Sequence, residues 1–253
     1  MIEEAQQIAL VTGGGQGIGA GISAELARAG YHVVINDLDE SRVAATVAEI
    51  ASDGGSASYA LADVSDSSSV DAMFDRVEAE YGSVSVLVNN AGVNGNAGIR
   101  NVSDALWDRV TSIDLDGVLH CTRRALGPMR EAGTGSVINF ASRAWLGWWG
   151  QSAYAAAKAG VVGMTRALAV EMASKGVRLN VVAPGLIDSP MLRDRDEEAL
   201  RRLLTSVPSG TLGTPQDIAN AVLFLAGERS RSMTGQVLYV CGGKSIYAYP
   251  DWS

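Results

Sequence analysis

The sequence predicts an α/β fold: a doubly wound parallel sheet of about seven strands with helices on both faces. Three observations carry this. Apolar runs of continuous Val, Ile and Leu character alternate with helical-period segments along nearly the whole chain, as expected of strands buried on both faces. No Pro/Gly/Ser linker, low-complexity tract or repeated block divides the sequence. With 253 residues at 47% apolar composition, the chain can bury one large core. Residues 1–253 are therefore expected to form one unit.

Strand candidates begin at Ile8 (IALVTG), Tyr31 (YHVVIND), Ala57 (ASYALADV), Val84 (VSVLVNN), Ser136 (SVINFAS), Val177 (VRLNVVAPG) and Gln236 (QVLYVCGG). Between the third and fourth, Val70, Met73, Phe74 and Val77 make an i, i+3, i+4, i+7 stripe. Asp66 stands ahead of them as a cap. Thr214 and Pro215 read as an N-cap and a first helical residue, followed by a buried stripe of Ile218, Val222 and Leu225. Residues 190–210 depart from the alternation. They carry a charged helix with Glu197–Arg201 and Glu198–Arg202 at favourable spacing and few apolar anchors. The stretch reads as a lid over a site near the preceding strand's end or as a solvated surface helix.

Directly after the first strand comes TGGGQGIGAGISAELARAG. Glycines there permit a tight turn and close approach of backbone to a ligand, and the following helix offers free N–H groups to a diphosphate. The window from Gly15 through Gly17 to Ala20 fits the dinucleotide fingerprint, and Gly13, Gly17 and Gly19 form an overlapping one. Asp37 closes the second strand. A carboxylate there can accept hydrogen bonds from the adenosine ribose hydroxyls and repel a 2′-phosphate, so NAD is the expected cofactor rather than NADP.

At 154–158 the chain reads YAAAK, which puts Tyr154 and Lys158 one helical turn apart on one face. Alone, this pair is more simply read as packing. In company with TGGGQGIG, the acid after the second strand, Asp63-Val64, NNAG at 89–92, a serine ending the fifth strand, and Pro184-Gly185 followed by Ser189, it resembles the short-chain dehydrogenase/reductase family. The match is to the Rossmann-like, single-domain branch and covers nearly the whole chain.

The resemblance implies roles. Tyr154 would be the general acid or base while a hydride moves between substrate carbon and nicotinamide. A free phenol titrates near ~10, and Lys158 would supply positive charge that favours the phenolate while holding the nicotinamide ribose. Ser142 would hydrogen-bond the substrate oxygen. Gly13, Gln16, Ile18 and Gly19 would line the diphosphate turn, Asp63 and Val64 the adenine, and Asn90 the adenosine side. Ile187 and Ser189 would meet the nicotinamide carboxamide and phosphates. Two positions depart from the family pattern. Asp114, in DLDG, stands where an asparagine usually helps a proton-relay water, and Ser142 precedes Tyr154 by one residue fewer than is common.

Formal charge is −8, and the basic residues fall only in short pairs such as Arg123-Arg124 and Arg201-Arg202, which argues against a nucleic-acid partner. Cys121 and Cys241 are far apart, with no metal-ligand or redox spacing; they read as buried free thiols in a reducing compartment, and no metal site is expected. The acidic start MIEEAQQ is unlike a signal peptide, and no apolar stretch approaches the ~18 residues that span a bilayer. A cytoplasmic protein without a membrane partner is expected.

Trp145, Trp148 and Trp149 lie between Ser142 and Tyr154, either as an apolar wall for substrate or as part of a subunit interface. The leading expectation is an NAD-dependent oxidoreductase interconverting a secondary alcohol and a ketone on a small hydrophobic, cyclic or aryl substrate. Reduction of a 3-oxoacyl thioester is the alternative, and a non-catalytic NAD-sensing protein a further one. Relatives of this size are commonly tetramers. A homotetramer is expected, with Tyr247, Tyr249 or Trp252 of the tail at 244–253 reaching a partner's pocket.

Overall fold

The computed structural model describes residues 6–188 and 197–246. Ser189, residues 190–196 of the expected lid, and the tail aromatics Tyr247, Tyr249 and Trp252 lie outside the described residues. Along the chain run β1 (Ile8–Thr12), α1 (Gly17–Arg28), β2 (His32–Asp37), α2 (Glu40–Ser52), β3 (Ser56–Leu61), α3 (Ser67–Tyr81), β4 (Val84–Asn89), α4 (Asp104–Thr111) and a π turn at Ser112–Asp116. They are followed by α5 (Gly117–Ala132), β5 (Gly135–Phe140), α6 (Ser152–Met172), β6 (Val177–Pro184), α7 (Glu197–Thr205), α8 (Pro215–Ala226) and β7 (Val237–Val240).

The seven strands form one sheet in the order β3-β2-β1-β4-β5-β6-β7, every neighbouring pair parallel. This is the expected Rossmann-like architecture. Alternation along β1 shows why the sheet needs two covered faces. Ile8 and Leu10 pack with Val70, Met73, Phe74 and Val77 of α3 and with Cys121, Ala125 and Met129 of α5. Ala9 and Val11 point the other way, to Ile22 and Leu26 of α1 and Ile218, Val222 and Leu225 of α8.

Local chemistry sets the helix starts as expected. Asp66 accepts from Ser68 N ahead of α3. Thr214 and Asp217 form a reciprocal capping box around Pro215 at the head of α8. The expected ion pairs of α7 involve side chains outside the described residues.

Winding reverses between β1 and β4. From β1 the chain builds outward through β2 and β3, then returns to add β4 to β7 on the other side. The crevice at the carboxyl ends of β1 and β4 is where such sheets take ligands. Thr12 and Asn89 end those two strands in direct register.

Candidate active site

Between β1 and α1 the chain turns through Gly13–Gln16. Gly13 and Gly17 have φ of 62° and 57°, left-handed values that favour glycine. A Cβ at Gly13 would lie 2.8 Å from Ala91 Cα, whereas one at Gly17 would meet nothing within 4 Å. The turn is thus pressed against the body on one side and open on the other. α1 begins without a side-chain cap, leaving its first N–H groups free toward the open side.

Asp37 fixes the far wall of the turn. Its Oδ2 accepts from Gly15 N at 3.1 Å and its Oδ1 from Leu38 N at 2.8 Å. A Cβ at Gly15 would sit 2.9 Å from Asp37 Oδ2, so glycine is what lets the carboxylate approach. Pinned glycine backbone, open helix terminus and oriented carboxylate together fit a dinucleotide.

Asn90, expected at the adenosine side of the cleft, braces the glycine turn. Its Nδ2 donates to the carbonyls of Thr12 and Gly13, both at 3.0 Å, while Asn90 N and Ala91 N donate to Thr12 Oγ1 at 3.1 Å. Its side chain ties the β4 end to the glycine turn. Asp63 Oδ1 accepts from Ser65 N and Oγ at 2.9 and 2.7 Å. Val64 is buried beneath Gly117. Ile187 is buried and bridges to Gly213.

Tyr154 and Lys158 lie in the first turns of α6, with the ammonium 5.6 Å from the phenol ring centroid. Tyr154 is half-buried; Lys158 is only 3% exposed. Of the three alanines between them, Ala157 is buried with Ala153 against Val110 of α4, whereas Ala156 is exposed. Lys158 Nζ meets Asp114 Oδ1 at 2.9 Å, and the Asp114 side chain is fully buried. Val93 N donates to Asp114 Oδ2 at 2.9 Å. The π turn carries Asp114 inward to this position, and glycine at 92 makes room, because a Cβ there would stand 2.6 Å from Asp114 Oδ1.

Ser142 follows β5 and caps a 3-10 turn at Arg143–Leu146, its Oγ accepting from Ala144 N at 3.1 Å. Beneath the site runs a buried polar ladder that the sequence reading missed. Asn89 Nδ2 donates to Thr122 Oγ1 at 3.0 Å and to Asn139 Oδ1 at 2.7 Å, and Asn139 Nδ2 donates to Thr165 Oγ1 at 2.9 Å. β4, β5, α5 and α6 are thereby held in one register. Isolated asparagines in two apolar strands were the available signal.

The three loop tryptophans do not share one role. Trp145 packs on Ala141, Val162, Val181 and Ala183, Trp149 is 87% exposed, and the Trp148 ring carries both Arg143 and Lys244 close by. The thiols also divide: Cys121 is buried as expected, but Cys241 is half-exposed, because it lies just beyond the half-buried strand β7. No helix among the described residues is long and apolar enough to cross a membrane.

A family model described as enoyl-(acyl carrier protein) reductase matches residues 13–245. The chain is 46% identical over 242 residues to subunit BbsD of a hydroxy(phenyl)methyl-succinyl-CoA dehydrogenase from Thauera aromatica, covering 96% of this chain and 98% of that protein. It is 41% identical over 244 residues to the cis-4-hydroxycyclohexanecarboxylate dehydrogenase of Sinomonas cyclohexanicum, covering 94% and 96%. To the 3-oxoacyl-acyl-carrier-protein reductase FabG of Staphylococcus aureus it is 39% identical over 237 residues, covering 93% and 96%. A crystal structure of an actinorhodin polyketide ketoreductase variant with NADPH superimposes with a TM-score of 0.92 at 35% identity, covering 98% of this chain and all of that one. Fold, motif order and these relatives agree: the chain belongs to the short-chain dehydrogenase/reductase family of nicotinamide-dependent oxidoreductases.

Proposed function

We propose that the protein is an NAD(H)-dependent oxidoreductase that interconverts a secondary alcohol and a ketone on a small cyclic or aryl substrate. The observation that carries this reading is the half-buried Tyr154 phenol standing one helical turn from a buried lysine. That combination provides one proton-transfer group accessible from the cleft and one fixed charge behind it.

The glycine turn from Gly13 through Gln16 and Ile18 to Gly19 would hold the diphosphate, and Asp37 the adenosine ribose. Asp63 and Val64 would flank the adenine, while Ile187 and Ser189 would border the nicotinamide. When bound, the nicotinamide accepts or supplies the hydride. Ser142 donates its hydroxyl to the substrate oxygen, aligning the carbinol with Tyr154. In oxidation Tyr154 Oη takes the hydroxyl proton; in reduction it returns one to the ketone oxygen. Lys158 holds the cofactor ribose and a positive charge beside the phenol, and the Asp114 carboxylate partly offsets that charge.

Two relatives, named for a hydroxy(phenyl)methyl-succinyl-CoA and a cis-4-hydroxycyclohexanecarboxylate, support dehydrogenation of a carbinol on a ring-bearing substrate. The choice of NAD rests on the carboxylate of Asp37. Similarity to FabG favours a second reading, reduction of a 3-oxoacyl thioester. A panel of secondary alcohols, ketones and a 3-oxoacyl thioester, each run with NAD(H) and NADP(H), separates the two.

In this reading the protein works in the cytoplasm as a homotetramer. The whole chain acts as one unit, with 190–210 covering the substrate and the tail at 244–253 reaching a partner's pocket. Light scattering of the parent and of a chain lacking residues 247–253 tests the assembly.

A further inference from the structure

Arg143 and Lys244 are distant in sequence but share one tryptophan. Arg143 follows Ser142, and its Cζ lies 4.6 Å from the centroid of the Trp148 ring; Lys244, just past β7, places Nζ 4.9 Å from the same ring. Lys244 is 5% exposed, and its ammonium donates to Ser206 O at 3.3 Å and to Ser206 Oγ. Arg143 donates through Nη2 to Gly147 O at 3.4 Å, and its Nε is buried with no partner among the described residues.

Neither cation meets a carboxylate among the described residues. Arg124, by contrast, reaches Asp71, Asp75 and Glu78. Burial and then the charge of Arg143 push the Lys244 ammonium below its ordinary range, with Cys241 acting in the opposite direction. Burial likewise lowers Arg143. Two like charges held together, one buried and one partly shielded from water, with no counter-charge among the described residues, are costly. A ligand that brings the negative charge removes that cost.

The pair lies at the same end of the sheet as Ser142. Arg143 follows Ser142 just past β5, Lys244 comes just past β7, and Cys241 packs against Gly185 at the end of β6, so both cations stand beyond the carboxyl ends of neighbouring strands. A guanidinium fork is shaped for a carboxylate, and an ammonium adds a second donor to the same anion.

We infer that Arg143 and Lys244 form a carboxylate-binding subsite, so that the substrate is a secondary alcohol or ketone carrying a carboxylate. This rests on the oxidoreductase reading above. Ser142 and Tyr154 then take the carbinol oxygen, and the two cations take the acid at the other end of the ring.

The test is calorimetric titration of cyclohexanecarboxylate, and of its uncharged amide, into the enzyme saturated with reduced cofactor. The acid is expected to bind about tenfold tighter than the amide, or more, as a charge-assisted contact requires. Arg143→Gln and Lys244→Gln should each lose most of that preference for the acid over the amide, and Lys244→Arg should keep it. A parent that binds the acid no better than the amide overturns the subsite, as does a preference that survives both glutamine variants. Because the titration needs no turnover, failure of the oxidoreductase reading appears separately, as inactivity across the substrate panel.

Discussion

Lys158 Nζ lies 2.9 Å from Asp114 Oδ1, and both side chains are buried. The family usually has an asparagine where Asp114 stands, so this protein places a carboxylate beside the ammonium that lies one helical turn from the Tyr154 phenol. Asp114→Asn keeps the size of the side chain but takes the counter-charge from a buried ammonium, and should cost about 1–3 kcal/mol of stability. Urea unfolding of the cofactor-free parent and variant checks this, and an unchanged midpoint contradicts it.

Asp37 couples the end of β2 to the glycine turn through Gly15 N. Asp37→Ala should weaken NAD binding about tenfold or more, as expected for lost hydrogen bonds to a charged acceptor, and should improve NADP binding relative to NAD. Calorimetry with both cofactors decides; unchanged NAD affinity would show that the carboxylate only braces the turn.

Asn139 joins Asn89 to Thr165 inside the sheet and α6. Asn139→Ala strands buried polar groups on both neighbours and should cost about 1–3 kcal/mol of stability. Urea unfolding of the cofactor-free protein reads it, and an unchanged midpoint would mean the ladder is energetically neutral.

Burial pushes the Cys121 thiol up to about 12, which leaves almost no thiolate at neutral pH. Iodoacetamide should therefore modify Cys241 in the native protein and Cys121 only after unfolding, as followed by peptide mass spectrometry. Comparable native labelling of both would contradict the buried assignment.

Much of this was legible in the sequence, and the limits have physical causes. Strand and helix order followed from continuous apolar runs and from stripes such as Val70, Met73, Phe74 and Val77, because burial on two faces leaves a strong local pattern. The glycine turn with Asp37, and the Tyr154–Lys158 pair, were readable because each is set by short-range spacing. The Asp114–Lys158 contact was not, since it depends on a π turn that rotates one carboxylate inward. The same holds for Asn90, whose amide is used across the sheet on Thr12 and Gly13. It holds again for the tryptophans, neighbours in sequence that the short 3-10 turn and Gly147 send in different directions.

Proton transfer by Tyr154 during nicotinamide-dependent oxidation is tested most directly by one experiment. Parent and Tyr154→Phe are run over a panel of secondary alcohols, including hydroxylated cyclic and aryl carboxylates, with NAD and NADP in parallel at the NADH absorbance band. The parent should oxidise at least one of them with NAD in preference to NADP, and Tyr154→Phe should lower that turnover by ~10² or more while cofactor still binds. Near-parental turnover in Tyr154→Phe would contradict the assignment.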